Sequence, residues 1–261
     1  MMSSVQLGIS VYGQSLFQLR HCLESCLSQQ DEHFQLQISI RIDGPAEDSA
    51  AEDVRAYLRS IAEQERDVSF EEGNERLGTF GSYRKIFSDS RSDYLCQVDA
   101  DDALAPAALR RSLDLMDSYG DASLLYTDCI EMDVDGCPIR LSKRQSLPYS
   151  EANILVQFMT FHLRIVRRQA YESVGGYDAG LKYVGDYDLS LKLSEVGDVI
   201  YLQRPLYFYR VHDNSESQKH RGDADREAFR VCRAALKRRE LDSAYTLIQH
   251  QDGSMELKLI A

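Results

Sequence analysis

The chain has little of what would hold it in a membrane, bind it to nucleic acid or cross-link it. No apolar run approaches the roughly 20 residues that a spanning helix needs. The opening stretch MMSSVQLGIS has neither a basic n-region nor a long apolar h-region, so neither export nor a membrane anchor is expected. Positive charge is in deficit, with 30 Lys and Arg against 42 Asp and Glu, a net charge of -12 and a pI near 5.0. That balance repels a phosphate backbone and excludes sequence-independent nucleic-acid binding. The six cysteines, at 22, 26, 96, 129, 137 and 232, include no CxxC pair and sit mostly within apolar patterns. Zinc and a disulfide framework are therefore unsupported, and a reducing, cytoplasmic setting is expected, with at most a peripheral contact at the inner membrane face. There is no GxxxxGK(S/T) stretch, and no GxGxxG follows the first strand pattern, which disfavours a P-loop NTPase and a dinucleotide dehydrogenase. No linker, repeat or low-complexity segment divides the 261 residues.

What is present is enough to build one substantial core, with 43% hydrophobic and 28% charged residues. Gln6 to Val11 reads as a strand, followed by Leu16, Leu19, Leu23, Cys26 and Leu27 at helical spacing. Leu36 to Ile42 is a second strand that stops at Asp43-Gly44-Pro45, and residues 50–63 have helical composition. Val68 to Glu71 forms a third strand, Thr79 to Ser88 a helix, and Tyr94 to Val98 a buried strand that ends in Asp99-Ala100-Asp101-Asp102. Pro106 is expected at the first position of a helix whose inward stripe is Leu109, Leu113 and Met116. This alternation predicts an α/β fold with a doubly wound, mainly parallel sheet, whose ligands bind beyond the carboxyl ends of the strands. From Ser123 the elements become mixed, and the second half is expected to extend the same sheet and build the acceptor side.

The acidic cluster sits at such a strand end. In an extended chain residues i and i+2 point the same way, so Asp99 and Asp101 would aim at one point while Asp102 faces elsewhere. Two hard oxygen donors beside open space suit Mg2+ or Mn2+, which keep positions free for water or substrate phosphates. An acidic turn capping the next helix is the competing reading. The abrupt end of a buried strand in three carboxylates favours the cation, because their repulsion needs compensation. A calcium loop starting at Asp99 is excluded, since its sixth and twelfth positions hold Leu104 and Arg110.

Further on lie Val174-Gly175-Gly176-Tyr177-Asp178, then Tyr183-Val184-Gly185-Asp186-Tyr187-Asp188-Leu189, then Pro205-Leu206-Tyr207-Phe208-Tyr209-Arg210-Val211-His212-Asp213-Asn214-Ser215. Counting the first two runs as one block, and with the turn at Asp43 and the acidic cluster, these four ordered blocks resemble the family 2 glycosyltransferases of the GT-A fold, over residues 5–217. The resemblance implies a metal-dependent, inverting transfer of a sugar from a nucleotide-diphosphate donor, typically UDP, to the hydroxyl of a saccharide or lipid-linked acceptor. The family's commonest setting is polysaccharide or glycoconjugate assembly. It implies Asp186 as general base, and Asp99, Asp101 and His212 around Mn2+ or Mg2+. It further implies Ser10, Tyr12, Asp43, Asp99 and either Arg76 or Arg84 on the nucleotide side, with Arg84 as the candidate. Residues 1–120 would be the donor half, 121–218 the acceptor half, and 219–261 an appended helix and tail. The chain departs from the family where Ile42-Asp43-Gly44-Pro45 replaces a doubly acidic turn, and where Gly185 stands in place of the acid that customarily precedes the base.

Residue by residue, blander roles compete. Asp43 can start a turn, Asp186 and Asp188 can be helix N-terminal acids favoured by the dipole, and His212 can be a surface residue. Two other functions remain open: a catalytically silent sugar-nucleotide-binding module, and a DxD phosphatase. The phosphatase family carries a later GDxxxD, where this chain has Ser190. Finally, residues 223–240 read as a helix with a basic stripe of Arg226, Arg230, Arg233 and Lys237 and an apolar one of Ala228, Val231, Cys232 and Ala235 that can rest on the catalytic domain; the basic stripe is foremost a solvated face balancing an acidic protein, with a weak contact to anionic lipid as the alternative.

Overall fold

The computed structural model describes residues 2–45, 50–143, 149–211 and 220–260. The first strand, β1 (Ser3–Val11), is flanked by parallel strands on both sides, and Val5, Leu7, Ile9 and Val11 are fully buried. These four alternate onto one face, while the other carries Gln6, whose amide donates to Ser39 Oγ at 2.8 Å, and Gly8, which lies against the Phe87 ring. Helix α1 (Leu16–Leu27) begins with a capping box, in which Ser15 and Gln18 each satisfy the other's backbone N–H. It buries the Leu19, Cys22, Leu23 and Cys26 stripe that the spacing predicts. Strand β2 (Phe34–Ile42), helix α2 (Glu52–Gln64), strand β3 (Val68–Glu72), helix α3 (Gly78–Ser88) and strand β4 (Tyr94–Asp99) follow.

The parallel strands β3, β2, β1 and β4 lie side by side in that order, which brings the carboxyl ends of β1, β2 and β4 to one rim. The short β5 (Ala103–Leu104) and helix α4 (Ala108–Ser118) come next. Leu109, Leu113 and Met116 are buried as expected, but the helix starts later than Pro106. Ala107 at its N-cap takes a left-handed conformation, with φ of 56°, so the Pro106-Ala107 pair is a turn.

The second half does extend the sheet. Strand β6 (Ala122–Met132) pairs with β7 (Pro138–Leu141), with β8 (Arg164–Arg167) and, in parallel, with β9 (Asp198–Arg210). β8 joins the halves by pairing antiparallel with β4, and β9 closes back on β5. Helices α5 (Arg168–Ser173), α6 (Gly185–Leu193) and α7 (Arg221–Arg238) cover this half, with a final hairpin of β10 (Tyr245–Gln249) and β11 (Met255–Leu259). No described helix is long and apolar enough to cross a membrane, and all six cysteines are free thiols.

The face of α7 that carries Val231, Cys232, Ala235 and Leu236 is buried in the same core as Tyr187, Leu189 and Leu191 of α6. Its apolar stripe is therefore a packing surface of the domain. Helix α6 in turn meets α3 at an unusually close point. A Cβ on Gly185 would lie 2.4 Å from the Phe80 ring, which leaves no room for the acid expected at this position from the family resemblance. Restoring it by Gly185→Glu is expected to destabilise the fold by about 1–3 kcal/mol through overpacking. Urea unfolding of the variant beside Phe80→Ala/Gly185→Glu measures this, and the double variant should recover part of the loss.

Candidate active site

Strand β4 stops at Asp99, and the next residues form a turn closed by the Asp102 N–H donating to the Asp99 carbonyl at 3.0 Å. This corrects the extended geometry expected for Asp99 and Asp101: the two acids share a turn. The turn leaves both half-exposed at the rim and puts Asp102 inside, 1% exposed.

Each acid has a different surrounding. Asp99 Oδ1 accepts from the Gln97 amide at 2.8 Å and lies 3.0 Å from the Tyr83 hydroxyl, while Oδ2 is 3.2 Å from His162 Nε2. Burial would raise this carboxyl, but His162, Gln97 and Arg164 outweigh it and hold Asp99 well below the usual range. Burial and the neighbouring Arg164 push His162 down, so the ring is neutral near pH 7 and acts on Asp99 as an N–H donor. Asp102 moves the other way. Burial, then repulsion from Asp101 and Asp99, pushes it well up, opposed by the Arg210 N–H, which donates to Oδ1 at 2.7 Å, and by the Tyr207 hydroxyl.

Arg210, 2% exposed, is the cation under the turn. Nε donates to the Asp101 carbonyl at 2.6 Å, Nη1 to the carbonyls of Asp133 and Val134, and Nη2 to His21 Nδ1 at 2.9 Å. Burial and then Arg210 lower the His21 pKa, which keeps that nitrogen an acceptor. Tyr207 adds a hydroxyl that accepts from the Asp99 N–H at 3.1 Å, and its ring stacks on His162 at 4.8 Å. Burial raises Tyr83, Tyr177 and Tyr207 far above ordinary phenols, so all three remain protonated.

The nucleotide-side candidates fall on the same rim. Ser10, at the end of β1, sits in register between Arg41 of β2 and Asp99 of β4. Tyr12, 41% exposed, carries the Arg76 guanidinium 3.7 Å above its ring. Arg84 instead donates to the Tyr177 carbonyl at 3.1 Å. Asp43 is 2% exposed and accepts from the N–H groups of Leu77 and Gly78, at 2.7 and 3.0 Å, and from Ser82 Oγ at 2.8 Å. It thus serves the N-terminus of α3, whose own N-cap, Leu77, has no side-chain acceptor.

Asp186 lies in the first turn of α6, where its Oδ1 accepts from the Tyr187 N–H. Its Oδ2 is 3.4 Å from Arg164 Nη2, and the same Nη2 is 3.3 Å from His162 Nε2. Asp186 and Asp99, far apart in the chain, are therefore joined by two side chains. Asp188 is 5% exposed and paired to Lys192 at 2.6 Å. His212 lies outside the described residues. Among those residues no group of three or more His, Cys, Asp or Glu side chains is arranged to hold a metal.

His162, Arg164, Gln97 and Tyr177 were not singled out from the sequence for this site, although two faint signals exist. Gln97 is a polar residue inside an otherwise apolar strand, and His162-Leu163-Arg164 places two polar groups two apart, on one side of an extended segment.

The match to the model of "Glycosyl transferase family 2" covers residues 9–175, more than half of the chain. The chain is 26% identical over 235 residues to chondroitin synthase of Escherichia coli, covering 90% of this chain and 33% of that protein. It is 27% identical over 146 residues to hyaluronan synthase of Pasteurella multocida, covering 56% of this chain and 15% of that protein. It thus spans a third or less of the length of these two relatives. S. aureus TarS 1-349 in complex with UDP-GlcNAc superposes with a TM-score of 0.66 at 14% identity, over 89% of this chain and 66% of that one. The mannosyltransferase PcManGT from Pyrobaculum calidifontis, in complex with GDP-Man and Mn2+, gives 0.64 at 14% identity, over 90% and 74%.

The opposed shifts of Asp99 and Asp102 predict opposite pH behaviour. Asp99, depressed in the fold, contributes stability that is complete above its unfolded pKa of about 3.9 and is lost as pH falls through the lower folded value. Asp99→Asn is therefore expected to cost about 1 kcal/mol at pH 6–8, allowing for its partial exposure, with the gap narrowing below pH ~4. Asp102, raised in the fold, costs stability increasingly as pH rises above that same unfolded value, so Asp102→Asn should match or exceed the parent at pH 7–8. Denaturant unfolding in EDTA from pH 3.5 to 8 checks both.

Proposed function

Because the chain belongs to glycosyl transferase family 2 and is a glycosyltransferase, we propose that it transfers a sugar from a UDP-linked donor to an acceptor hydroxyl with inversion. In this proposal Asp99 and Asp101 hold a divalent cation and Asp186 is the base. The observation that supports it most is the continuous contact from Asp99 through His162 and Arg164 to Asp186. It brings a donor-side and an acceptor-side carboxylate into one network of contacts, as suits a displacement with attack and departure on opposite faces.

The donor set suits Mn2+ or Mg2+. Asp99 is held ionised, Asp101 stands beside it in the turn, and these cations fill their remaining positions with water and substrate phosphates rather than with an all-protein cage. When bound, such a cation would supply positive charge to the departing diphosphate. His212 is proposed as a further ligand from the family resemblance alone.

The rest is work for the chain's own side chains. Asp186 takes the proton of the acceptor hydroxyl as that oxygen bonds to the anomeric carbon. The bond from that carbon to the phosphate oxygen breaks, and its electron pair leaves with the nucleoside diphosphate. Tyr12, under Arg76, offers the aromatic surface for the base, and Ser10 the adjacent sheet edge. Arg76 is the arginine nearer the base, since Arg84 is tied to the Tyr177 carbonyl. Asp43 acts on the nucleotide by fixing the segment from Leu77 to Gly78 next to Arg76. UDP is supported by the TarS complex with UDP-GlcNAc, although PcManGT holds GDP-Man, and a role in polysaccharide assembly by the likeness to the chondroitin and hyaluronan synthases. In this reading residues 1–218 carry the transfer site and 219–261 form the appended helix and hairpin. It places the chain in the cytoplasm, and any contact with anionic lipid is weak and electrostatic. Arg226 pairs with Asp223 and Arg230 with Glu227, which leaves Arg233 and Lys237, in a groove beside α7, as its main cations.

A panel of nucleotide sugars, with and without saccharide acceptors and with Mn2+, Mg2+ or EDTA, tests the function by release of the nucleoside diphosphate. Transfer that needs both acceptor and cation is expected. Cation-independent turnover would remove the metal role, and binding without turnover would leave a sugar-nucleotide-binding module. Asp101→Ala should abolish transfer and cation-dependent donor binding while leaving the fold intact. Asp186→Asn should keep donor affinity and lose ~10²–10⁴-fold in kcat. Separately, cosedimentation with anionic vesicles should fall for Arg233→Gln/Lys237→Gln at low salt, and equal recovery of both proteins in the supernatant would dismiss the membrane contact.

A further inference from the structure

Arg164 is 3% exposed, at the start of β8, and burying a guanidinium is costly unless charges and acceptors surround it. Its surroundings are specific. Nη1 donates to the Thr160 carbonyl at 2.9 Å, Nη2 lies between His162 Nε2 at 3.3 Å and Asp186 Oδ2 at 3.4 Å, and the Phe158 ring sits 5.8 Å from the guanidinium carbon. Burial alone would weaken its hold on the proton, but Asp186, Tyr177 and Asp99 more than restore it. The planar fork therefore has one orientation available, and the groups it touches inherit that orientation.

What it touches is the base on one side and, through His162, the donor-side acid on the other. We propose that Arg164 is a positioning residue that sets the spacing between Asp186 and Asp99, with His162 as the connecting piece, so that the acceptor proton is taken in line with the departing diphosphate. The inference rests on the roles given above to Asp186 and Asp99. The 3.4 Å contact is an ion-pair distance longer than an ordinary hydrogen bond, so it orients the Asp186 carboxylate without occupying the lone pair that must receive the proton. Nε2 of His162 lies 3.2 Å from Asp99 Oδ2 and 3.3 Å from Arg164 Nη2; one ring nitrogen cannot donate to the first and accept from the second at once, so the guanidinium bounds the imidazole, and with it the Asp99 carboxylate, by contact. Stacking on Tyr207, whose hydroxyl also receives the Asp99 N–H, leaves the ring little room to absorb that shift.

The test is a double-mutant cycle read in two ways. In the transfer assay Arg164→Gln is expected to lower kcat by about 10- to 100-fold, as misplacement of a reacting group does. The KM for the donor should change less than threefold, and Arg164→Lys should recover part of the rate. In the Asp186→Asn background the same Arg164→Gln change should cause no further loss, because the group it positions is gone. A full loss in that background, or a wild-type kcat in Arg164→Gln, would overturn the proposal. The second reading needs no turnover. Urea midpoints of wild type, Arg164→Gln, Asp186→Asn and the double variant should be non-additive, and strictly additive midpoints would overturn the pairing even if no donor is ever turned over. Absence of transfer by the wild type with every donor would instead count against the proposed function. If Arg164→Gln does not fold, Arg164→Lys and its double variant with Asp186→Asn read the same cycle.

Discussion

Three aspartates within four residues at the end of a buried strand repel one another, and the architecture of the site follows from how that repulsion is contained. Arg210 does most of this from below. Its backbone N–H holds Asp102, and its side chain takes the carbonyl of Asp101 together with those of Asp133 and Val134 and the ring of His21. One residue at the end of β9 thus pins the acidic turn to the end of β6 and to α1. The carbonyls it collects would otherwise be under-satisfied in the interior. With Asp102 held inside, Asp99 and Asp101 are left at the rim, where their charge is available.

A second layer of polar contacts surrounds the first. The Tyr177 hydroxyl donates to Gln97 Oε1 at 2.5 Å, and Gln97 donates to Asp99, so the glycine-rich segment before α6 is connected to the acid through one amide. Tyr177 also belongs to an aromatic group with Phe80, Tyr83 and Phe87 that fills the space between α3 and α6. Packing and polarity act together here: the rings exclude water, and exclusion strengthens the hydrogen bonds that orient Asp99. Gly185 is part of the same arrangement, because Phe80 occupies the volume that a side chain there would need.

Much of the fold was legible because its signals are local. Apolar runs bounded by turns located β1, β2, β3 and β4 to within a few residues, and the 3.6-residue stripe of α7 identified the face that packs on α6. The α/β class and the rim as ligand face follow from element order. Errors arose where a local rule met a non-local contact. Pro106 was placed inside a helix that begins two residues later, and the Asp99 to Asp102 segment, extended by the logic of alternation, is folded into a turn under which Arg210 lies. The β10–β11 hairpin carried no motif and was not anticipated.

The sequence by itself determined which residue types stand at the ends of which strands: Asp43 after β2, the acidic cluster at the end of β4, and Asp186 at the start of a helix. Those are consequences of periodicity and turn chemistry, which act over a few residues. Tertiary structure alone decided what each acid does, because a carboxylate's role depends on the donors that reach it from elsewhere in the chain. Asp43 is drawn to the N-terminus of α3, Asp102 to Arg210, and Asp99 to His162, while Asp186 meets an arginine from another strand. The partners of Arg76 and Arg84, the Tyr12 ring and the Tyr177 carbonyl, were likewise decided in space. None of these pairings is encoded in spacing, since burial and reach between distant segments settle them only once the sheet has brought the segments together.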